Sequence, residues 1–276
     1  MSTTPLFRRL LTSRLLTTIG SATAAGALTL GLATAISPAD AHHANPPGPT
    51  FAGGDYRWGS APVNYKFVGP LRKSDWRVHG PGVVRNQHGM LTLNTANHGT
   101  VSATEITRGH EVGRWEIRIR SRQYGSGHHP YRVKTELVPA GGRKQYCGAK
   151  NVALESYTPH GHSATHYIRS RPDHSYVAHK AVGLHDDQWH TFAVEITHTR
   201  ISWFVDAHVI STEKRKDALT GTPFAVKFSM VGVEGKRMNT SRMQMDWLRY
   251  WTLDRPDAKS TAAPQTRRGT YAGACG

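Results

Sequence analysis

The chain has 276 residues and a formal net charge of +16, with 35 Lys and Arg against 19 Asp and Glu. So strong a positive excess favours anionic partners such as acidic glycans, wall polymers, membrane surfaces or nucleic acid. No aromatic RNA-binding motif, basic recognition helix or zinc-finger spacing accompanies the charge, which argues against nucleic acid.

Residues 1–41 are predicted to be an export signal. Arg8, Arg9 and Arg14 precede an uncharged run rich in Ala, Leu and Gly, and Ala39-Asp40-Ala41 fits the small-residue rule for cleavage. An uncleaved N-terminal anchor is the alternative, but the run is too rich in Ala and Gly for a typical membrane span. Cleavage before His42 would remove three Arg and one Asp, leaving 235 residues with a charge of +14. The sequence therefore predicts a secreted or cell-wall-associated protein with no membrane attachment after cleavage.

The rest of the chain divides into three predicted parts. Residues 42–62 are rich in Pro and Gly and are expected to be a flexible segment, residues 63–253 one domain, and residues 254–276 a polar tail. Within the domain, short runs with strand-like composition alternate with turn residues, at 63–68, 83–85, 90–94, 100–105, 114–120, 131–138, 151–157, 166–169, 176–181, 190–197, 200–205, 224–231 and 243–251. This pattern predicts an all-β fold, a two-sheet antiparallel sandwich or jelly roll, and a monomer is expected.

The run 151–157 bears most directly on function. Its alternation predicts a strand with Val152 and Leu154 in the core, and with Asn151, Glu155 and Tyr157 on the other face. A carboxylate in the middle of a strand is unusual. Glu155 fits either a solvated outer face or a glycan cleft in which it serves as an acid/base group.

The sequence contains two cysteines, Cys147 and Cys275. In an oxidising compartment they are most simply one disulfide, and two free thiols are the alternative.

Several runs resemble known motifs in the same order along the chain: GRWEIRI at 113–119, QWHTFAVE at 188–195, ISWFVD at 201–206 and MDWLRY at 245–250. They are similar to strands of glycoside hydrolase family 16, the laminarinase and lichenase group. The resemblance covers residues 65–251 and implies a concanavalin-like jelly roll.

That family carries E-x-D-x-E on its catalytic strand, sometimes with one bulged residue before the last Glu. In the unbulged register Asn151 stands at the nucleophile, Ala153 at the helper Asp and Glu155 at the acid/base. In the bulged register Lys150 and Val152 replace the first two. Two of three carboxylates are missing in either register, and a retaining glycosidase needs two carboxyl groups about 5–5.5 Å apart.

A second carboxylate is available on the preceding strand. Alignment with the family places Glu136 in the cleft with Lys134 two residues away, so Glu136 is a candidate partner for Glu155. An ion pair between Glu136 and Lys134 or Arg132 is the simpler interpretation.

Other candidate residues follow from the same resemblance. Tyr157, His166 and Trp189 are expected to contact sugar, together with Asn151 and Lys134. No cofactor and no metal site are predicted from ligand spacing. Asp246 resembles an Asp near the calcium site of many family members, which leaves a structural calcium open.

The sequence thus predicts a secreted carbohydrate-active protein that acts on or binds a cell-wall or extracellular polysaccharide, anionic or wall-associated. The missing nucleophile argues against hydrolysis. The alternative is an active glycosidase with Glu155 as acid/base and a relocated carboxylate such as Glu136.

Overall fold

The structure is a computed structural model that describes residues 50–142, 150–170 and 173–270. All the described residues belong to one compact unit. The predicted export signal, Cys147 and Cys275 lie outside the described residues, so the signal and the disulfide stay predictions.

The predicted all-β sandwich is confirmed: two antiparallel sheets of eight strands each form the fold. The strands are β1 Val63–Tyr65, β2 Trp76–His79, β3 Val83–Gln87, β4 Met90–Asn94, β5 Val101–Glu105, β6 Gly113–Gln123, β7 Arg132–Pro139, β8 Asn151–Tyr157, β9 Ser163–Arg169, β10 His174–Ala181, β11 His190–Ile196, β12 Ile201–Val205, β13 His208–Glu213, β14 Phe224–Val231, β15 Ser241–Trp251 and β16 Arg267–Thr270. One short helix, α1 Ala52–Asp55, and two 3-10 turns, Ala140–Gly142 and Lys216–Ala218, are also described.

Sheet I has the order β13-β12-β11-β6-β15-β4-β3, with β1 added on β15. Sheet II has the order β16-β10-β9-β8-β7-β14-β5-β2. The strands β2, β13 and β16 are additions to the runs predicted from the sequence.

The core lies between the two sheets. On every long strand one set of alternate side chains is apolar and packs against the opposite sheet, as in other aligned sandwiches. Val152 and Leu154 of β8 belong to this core, together with Ile117 of β6 and Phe192 of β11. Their predicted inward orientation is confirmed, and it fixes which face of sheet II is left for a ligand.

The segment before β1 differs from the expected flexible linker. Ala52, Tyr56 and Trp58 are buried, and they pack against Phe204 on the outer face of sheet I. The carboxylate of Glu116 on β6 accepts two successive backbone N–H groups of α1, at 2.5 and 3.0 Å. Packing therefore begins near residue 51 rather than at residue 63, because three apolar side chains in this segment find a matching surface.

The predicted tail also contributes to the fold. Strand β16 pairs with β10 at the edge of sheet II. Ahead of it, Asp257 lies 3.0 Å from Arg114 of β6, and it accepts a hydrogen bond from Trp58 at 2.8 Å. The N-terminal and C-terminal segments thus meet on the outer face of sheet I.

Candidate functional site

The candidate site is the face of sheet II that is turned away from the core, called here the front face. Cross-strand pairs define it, since directly paired residues point to the same side of a sheet. Val133 and Leu137 of β7 face the core, so Lys134 and Glu136 between them lie on the front face.

A β-bulge in β8 decides which of its side chains reach the front face. Glu136 pairs with Ala153, yet Thr135 pairs with Glu155, so Leu154 is an extra residue opposite β7. The same irregularity separates Ala153 and Ser156 opposite β9. A bulge places two consecutive residues on the same side of the strand. Leu154 and Glu155 therefore both point inward.

The predicted orientation of Glu155 is wrong for this reason. Its side chain is 0% exposed, and it lies on the core side with Val152 and Thr135. Neither carboxylate oxygen has a hydrogen-bond partner among the described residues. Burial raises the pKa of Glu155 well above the ordinary value for a carboxyl group. Glu155 cannot reach a sugar on the front face.

Three further candidates lie away from the front face. Tyr157 is in the core, where its hydroxyl donates to Ser121 at 3.2 Å. His166 is 0% exposed, its Nδ1–H donates to the Leu154 carbonyl oxygen, and burial lowers its pKa to about 4. These two residues share the inward face because they alternate with front-face residues on β8 and β9.

Trp189 belongs to the other sheet. It precedes β11, and its ring lies between Arg118 and Arg120 of β6, with guanidinium carbons 4.7 and 4.5 Å from its centre. Arg118 and Arg120 point outward from sheet I, since Ile117 and Ile119 beside them face the core. A sugar on the front face therefore does not contact Trp189.

Glu136 is the carboxylate that the front face does present. It is 4% exposed and accepts hydrogen bonds from Tyr167 at 2.5 Å and Asn151 at 3.4 Å, while Lys134 lies 3.1 Å away. Burial alone would raise the pKa of Glu136, but Lys134, the Tyr167 hydrogen bond and Lys227 outweigh it, so the pKa is lowered. The ion pair between Glu136 and Lys134, the simpler interpretation, is present, and Asn151 lies with them on the front face; their roles as site residues stay predictions.

One row of paired residues crosses the whole front face at this point, with one residue from each strand. From one edge of sheet II to the other it contains Arg267, Val177, Tyr167, Ala153, Glu136, Lys227, Thr104 and Arg77. Eight strands at about 4.8 Å spacing make a strip roughly 34 Å long. We call it the charged row.

A second row runs beside it and is rich in hydroxyl groups. Its members are His179, Thr165, Ser156, Lys134, Ser229, Ser102 and His79, again one from each successive strand. The buried hydroxyl of Ser229 has no hydrogen-bond partner among the described residues. We call this the hydroxyl row.

The front face is strongly basic. Six Arg and Lys side chains of the sheet II strands share it: Arg77, Arg132, Lys134, Arg169, Lys227 and Arg267. Glu136 is the one carboxylate among the strand residues on this face, all of which the structure describes, and it is already paired with Lys134. The surface can attract a linear anion and offers hydroxyl donors and acceptors beside it.

Comparison with known proteins supports the resemblance stated above. The family model "Glycosyl hydrolases family 16" matches residues 155–249. Over these residues the chain is similar to glycoside hydrolase family 16. No curated protein sequence matches.

Solved structures of similar fold include three glucanases. A laminarinase catalytic domain from Thermotoga petrophila is 12% identical over 72% of this chain and 98% of its own, with a TM-score of 0.56. The family 16 endo-β-1,3(4)-glucanase SCLam is 13% identical over 74% and 94%, with a TM-score of 0.59. An endo-β-1,3-glucanase from Pyrococcus furiosus is 9% identical over 72% and 95%, with a TM-score of 0.57. At these identities the comparison shows the fold.

The bulge also changes how β8 aligns with the family pattern. In the bulged form E-x-D-x-x-E, the three front-face positions of this family 16-like strand are Asn151, Ala153 and Ser156. Both registers considered from the sequence, which ended on Glu155, are therefore wrong. All three carboxylates are replaced, not two. No signal in the sequence marks the bulge, so Ser156 was missed.

The described residues show neither a metal cluster nor a membrane helix. No group of three or more His, Cys, Asp or Glu side chains comes together in the described ranges. Asp246, the possible calcium ligand, is paired with Arg118 at 2.8 Å. Within the same ranges, no helix is long and apolar enough to cross a bilayer.

Proposed function

We propose that this family 16-like protein is exported and binds an acidic polysaccharide across the front face of sheet II without hydrolysing it. The observation that carries the proposal is the side-chain set of β8, where the front face presents Asn151, Ala153 and Ser156. An amide, a methyl group and a hydroxyl without a base cannot replace the nucleophile and the acid of a double displacement.

Glu136 does not restore hydrolysis. Its pKa is lowered, so it stays ionised and cannot act as a general acid near neutral pH. Glu155 projects from the opposite face of the same sheet, so the two carboxyl groups cannot flank one glycosidic bond. The alternative of an active glycosidase that uses this pair therefore lacks its geometry.

Binding follows from the two rows. The charged row supplies Lys227 and Arg77 for acidic groups of the polymer, and the hydroxyl row supplies its more exposed members Thr165, His179 and His79 for sugar hydroxyls. Tyr167 and Asn151 donate hydrogen bonds to Glu136 at the centre of the front face, and Glu136 forms an ion pair with Lys134. A polysaccharide is favoured over nucleic acid because structurally similar proteins are glucanases.

The test follows reducing ends and retention in parallel. The protein is incubated with laminarin, lichenan, alginate and insoluble cell-wall glycans, and we expect retention on the acidic polymers with no release of reducing ends. Lys227→Gln with Arg77→Gln should weaken binding to alginate by about three-fold or more at low salt, since Arg77 is exposed and Lys227 half-buried on the front face, and neither belongs to the Lys134–Glu136 ion pair.

Two controls make the result decisive. Lys236→Gln with Arg85→Gln removes the same charge from exposed positions outside the front face and should leave alginate binding close to wild type. Release of reducing ends that disappears in Glu136→Gln would refute the non-hydrolytic proposal. Equal loss of alginate binding in both double variants would refute the assignment to the front face.

A further inference from the structure

The outer face of sheet I carries a cluster of arginines that the front-face proposal does not use. Arg122 of β6 and Arg242 of β15 are directly paired across the two strands, and Arg120 lies on the same face two residues earlier. We call these three residues the outer cluster. The front face and the outer cluster lie on opposite sides of the sandwich.

The pairing of Arg122 with Arg242 places like charges directly opposite each other, which is destabilising in a sheet. Asp187 offsets part of this cost, since it accepts from Arg122 at 3.1 Å, pairs with Arg242 and lies 3.7 Å from Arg120. Asp186 reaches Arg122 only at 4.0 Å and is shared with His160 at 2.8 Å. The positive charge exceeds its internal partners, as expected where a surface is built for an external anion.

Aromatic rings hold the guanidinium groups in fixed orientations. Arg122 and Arg242 flank the ring of Tyr124, with guanidinium carbons 5.5 and 5.7 Å from its centre, and Arg120 stacks on Trp189. Tyr124 is itself 53% exposed. A stacked guanidinium loses little freedom when it binds a carboxylate or sulfate in a bidentate manner, and an exposed ring beside it suits a sugar ring.

This end of sheet I is also left open by the rest of the chain. The terminal segments cover the region around Trp58, Phe204 and Trp251, where β11 and β12 pack against them. Arg122, by contrast, keeps 47% of its side chain exposed. Arg120 and Arg242 keep 19% and 20% of their side chains exposed, so Arg122 is the most accessible member of the outer cluster.

We propose that the outer cluster is a second binding surface for the acidic groups of a polysaccharide, separate from the front face. With two such surfaces on opposite sides, one molecule joins two acidic chains. The cluster stands on its own observations, while the joining of two chains rests also on the proposed front-face function.

The experiment separates the two surfaces with matched double variants. The outer variant is Arg122→Gln with Arg242→Gln, the front variant is Lys227→Gln with Arg77→Gln, and the control is Arg108→Gln with Lys236→Gln, two exposed loop positions outside both faces. Alginate and dextran sulfate are the acidic probes and neutral dextran the uncharged one. We expect each surface variant to lose about three- to ten-fold in affinity, and the slope against salt to fall by roughly two, whereas the control changes little.

Light scattering reports joining of chains. The wild-type protein should cross-link long alginate chains into aggregates at intermediate protein-to-polymer ratios. The outer and front variants should bind alginate without aggregating it. If the outer variant matches the control in its affinity for alginate and in the aggregation it causes, the outer cluster is not a binding surface. If only the front variant matches the control, the front-face function fails and the outer cluster stands.

Two further results would overturn the proposal. Equal binding of neutral dextran would show that acidic groups are not recognised, and tighter binding of duplex DNA than of either acidic polysaccharide would assign the cluster to nucleic acid. Thermal melting checks that the variants fold. If the outer double variant does not fold, Arg122→Gln alone, at the more exposed position, replaces it, with Arg108→Gln as its control.

Discussion

The carboxyl group of Glu155 is buried between the sheets without a charged partner. A carboxyl in such a place stays protonated, since ionisation would leave an uncompensated charge in an apolar interior. Its raised pKa therefore describes a residue that costs stability at neutral pH rather than one that serves as an acid. A catalytic acid must be accessible to its substrate, and the side chain of Glu155 is not accessible to solvent.

Replacing Glu155 by methionine should stabilise the protein. Methionine has a similar length and adapts to irregular core space, so at pH 7 we expect a gain of about 1–3 kcal/mol, the usual cost of a buried polar group without a partner. The folded state binds the proton more tightly than the unfolded state. The cost of the carboxyl therefore grows as pH rises above the unfolded pKa of about 4.3, and the gain should shrink towards pH 4.

Urea unfolding at pH 4 and pH 7 measures this difference. Glu234→Met, at an exposed position in the turn after β14, is the control and should show no comparable pH-dependent gain. A Glu155→Met protein that is less stable than wild type at pH 7 would show that the carboxylate has a partner, contrary to the geometry. Alginate binding should be unchanged.

At the scale of elements, two short segments determine what each sheet exposes. The bulge in β8 replaces the expected carboxylate on the front face by Ser156. The segment before β1 covers one end of sheet I and is fixed there by Glu116 and by the packing of Trp58. Both features are local, and both redefine which surface is available to a ligand.

Removing the Trp58 side chain should loosen this cover. Trp58 is 2% exposed, packs edge-to-face against Phe204 and Trp251 with ring centres 5.5 and 5.2 Å away, and donates to Asp257. Trp58→Ala should cost about 3–5 kcal/mol in the free energy of unfolding, as large-to-small changes in a packed core do. Val233→Ala at an exposed site should change it by less than about 0.5 kcal/mol.

Hydrogen exchange locates the effect. Faster exchange of the α1 amides that Glu116 accepts, with front-face strands unchanged, is the expected pattern. A loss of stability similar to that of Val233→Ala would contradict the close packing of the segment.

Much of this element-level organisation was predictable from sequence. Alternation identified most strands and placed Val152 and Leu154 correctly, because a two-residue period maps directly onto the two faces of a sheet. It failed at Glu155, since a bulge inserts one residue without any change in composition. It also missed the packing of residues 51–58, where aromatic residues separated by glycines show no period.

At the scale of the whole molecule, charge is distributed over both sides of a thin sandwich. With an excess positive charge of +16 on the full chain, or +14 after the predicted cleavage, the proposed retention on acidic polymers should depend on salt. The Debye length falls from about 30 Å at 0.01 M to about 8 Å at 0.15 M, so long-range attraction weakens strongly over that range. Contacts within each row remain the source of specificity.

The predicted disulfide is a whole-molecule constraint that awaits measurement. If Cys147 and Cys275 are joined, thiol titration of the unfolded, unreduced, exported protein should find no free thiol. The bridge would close a long loop and contribute roughly 4–5 kcal/mol on the chain-entropy estimate. Two titratable thiols would refute it, and titration after reduction provides the positive control.

The extra residue in β8 also bears on how such a surface could change over generations. Deleting Ser156 would straighten the strand, leave Leu154 inward opposite Thr135, and carry Glu155 from the interior to the front face opposite Lys134. Loss of one codon would therefore deliver a second carboxylate to the surface, with no substitution at all. In this chain, a single in-frame deletion thus separates a buried acid from one that faces solvent.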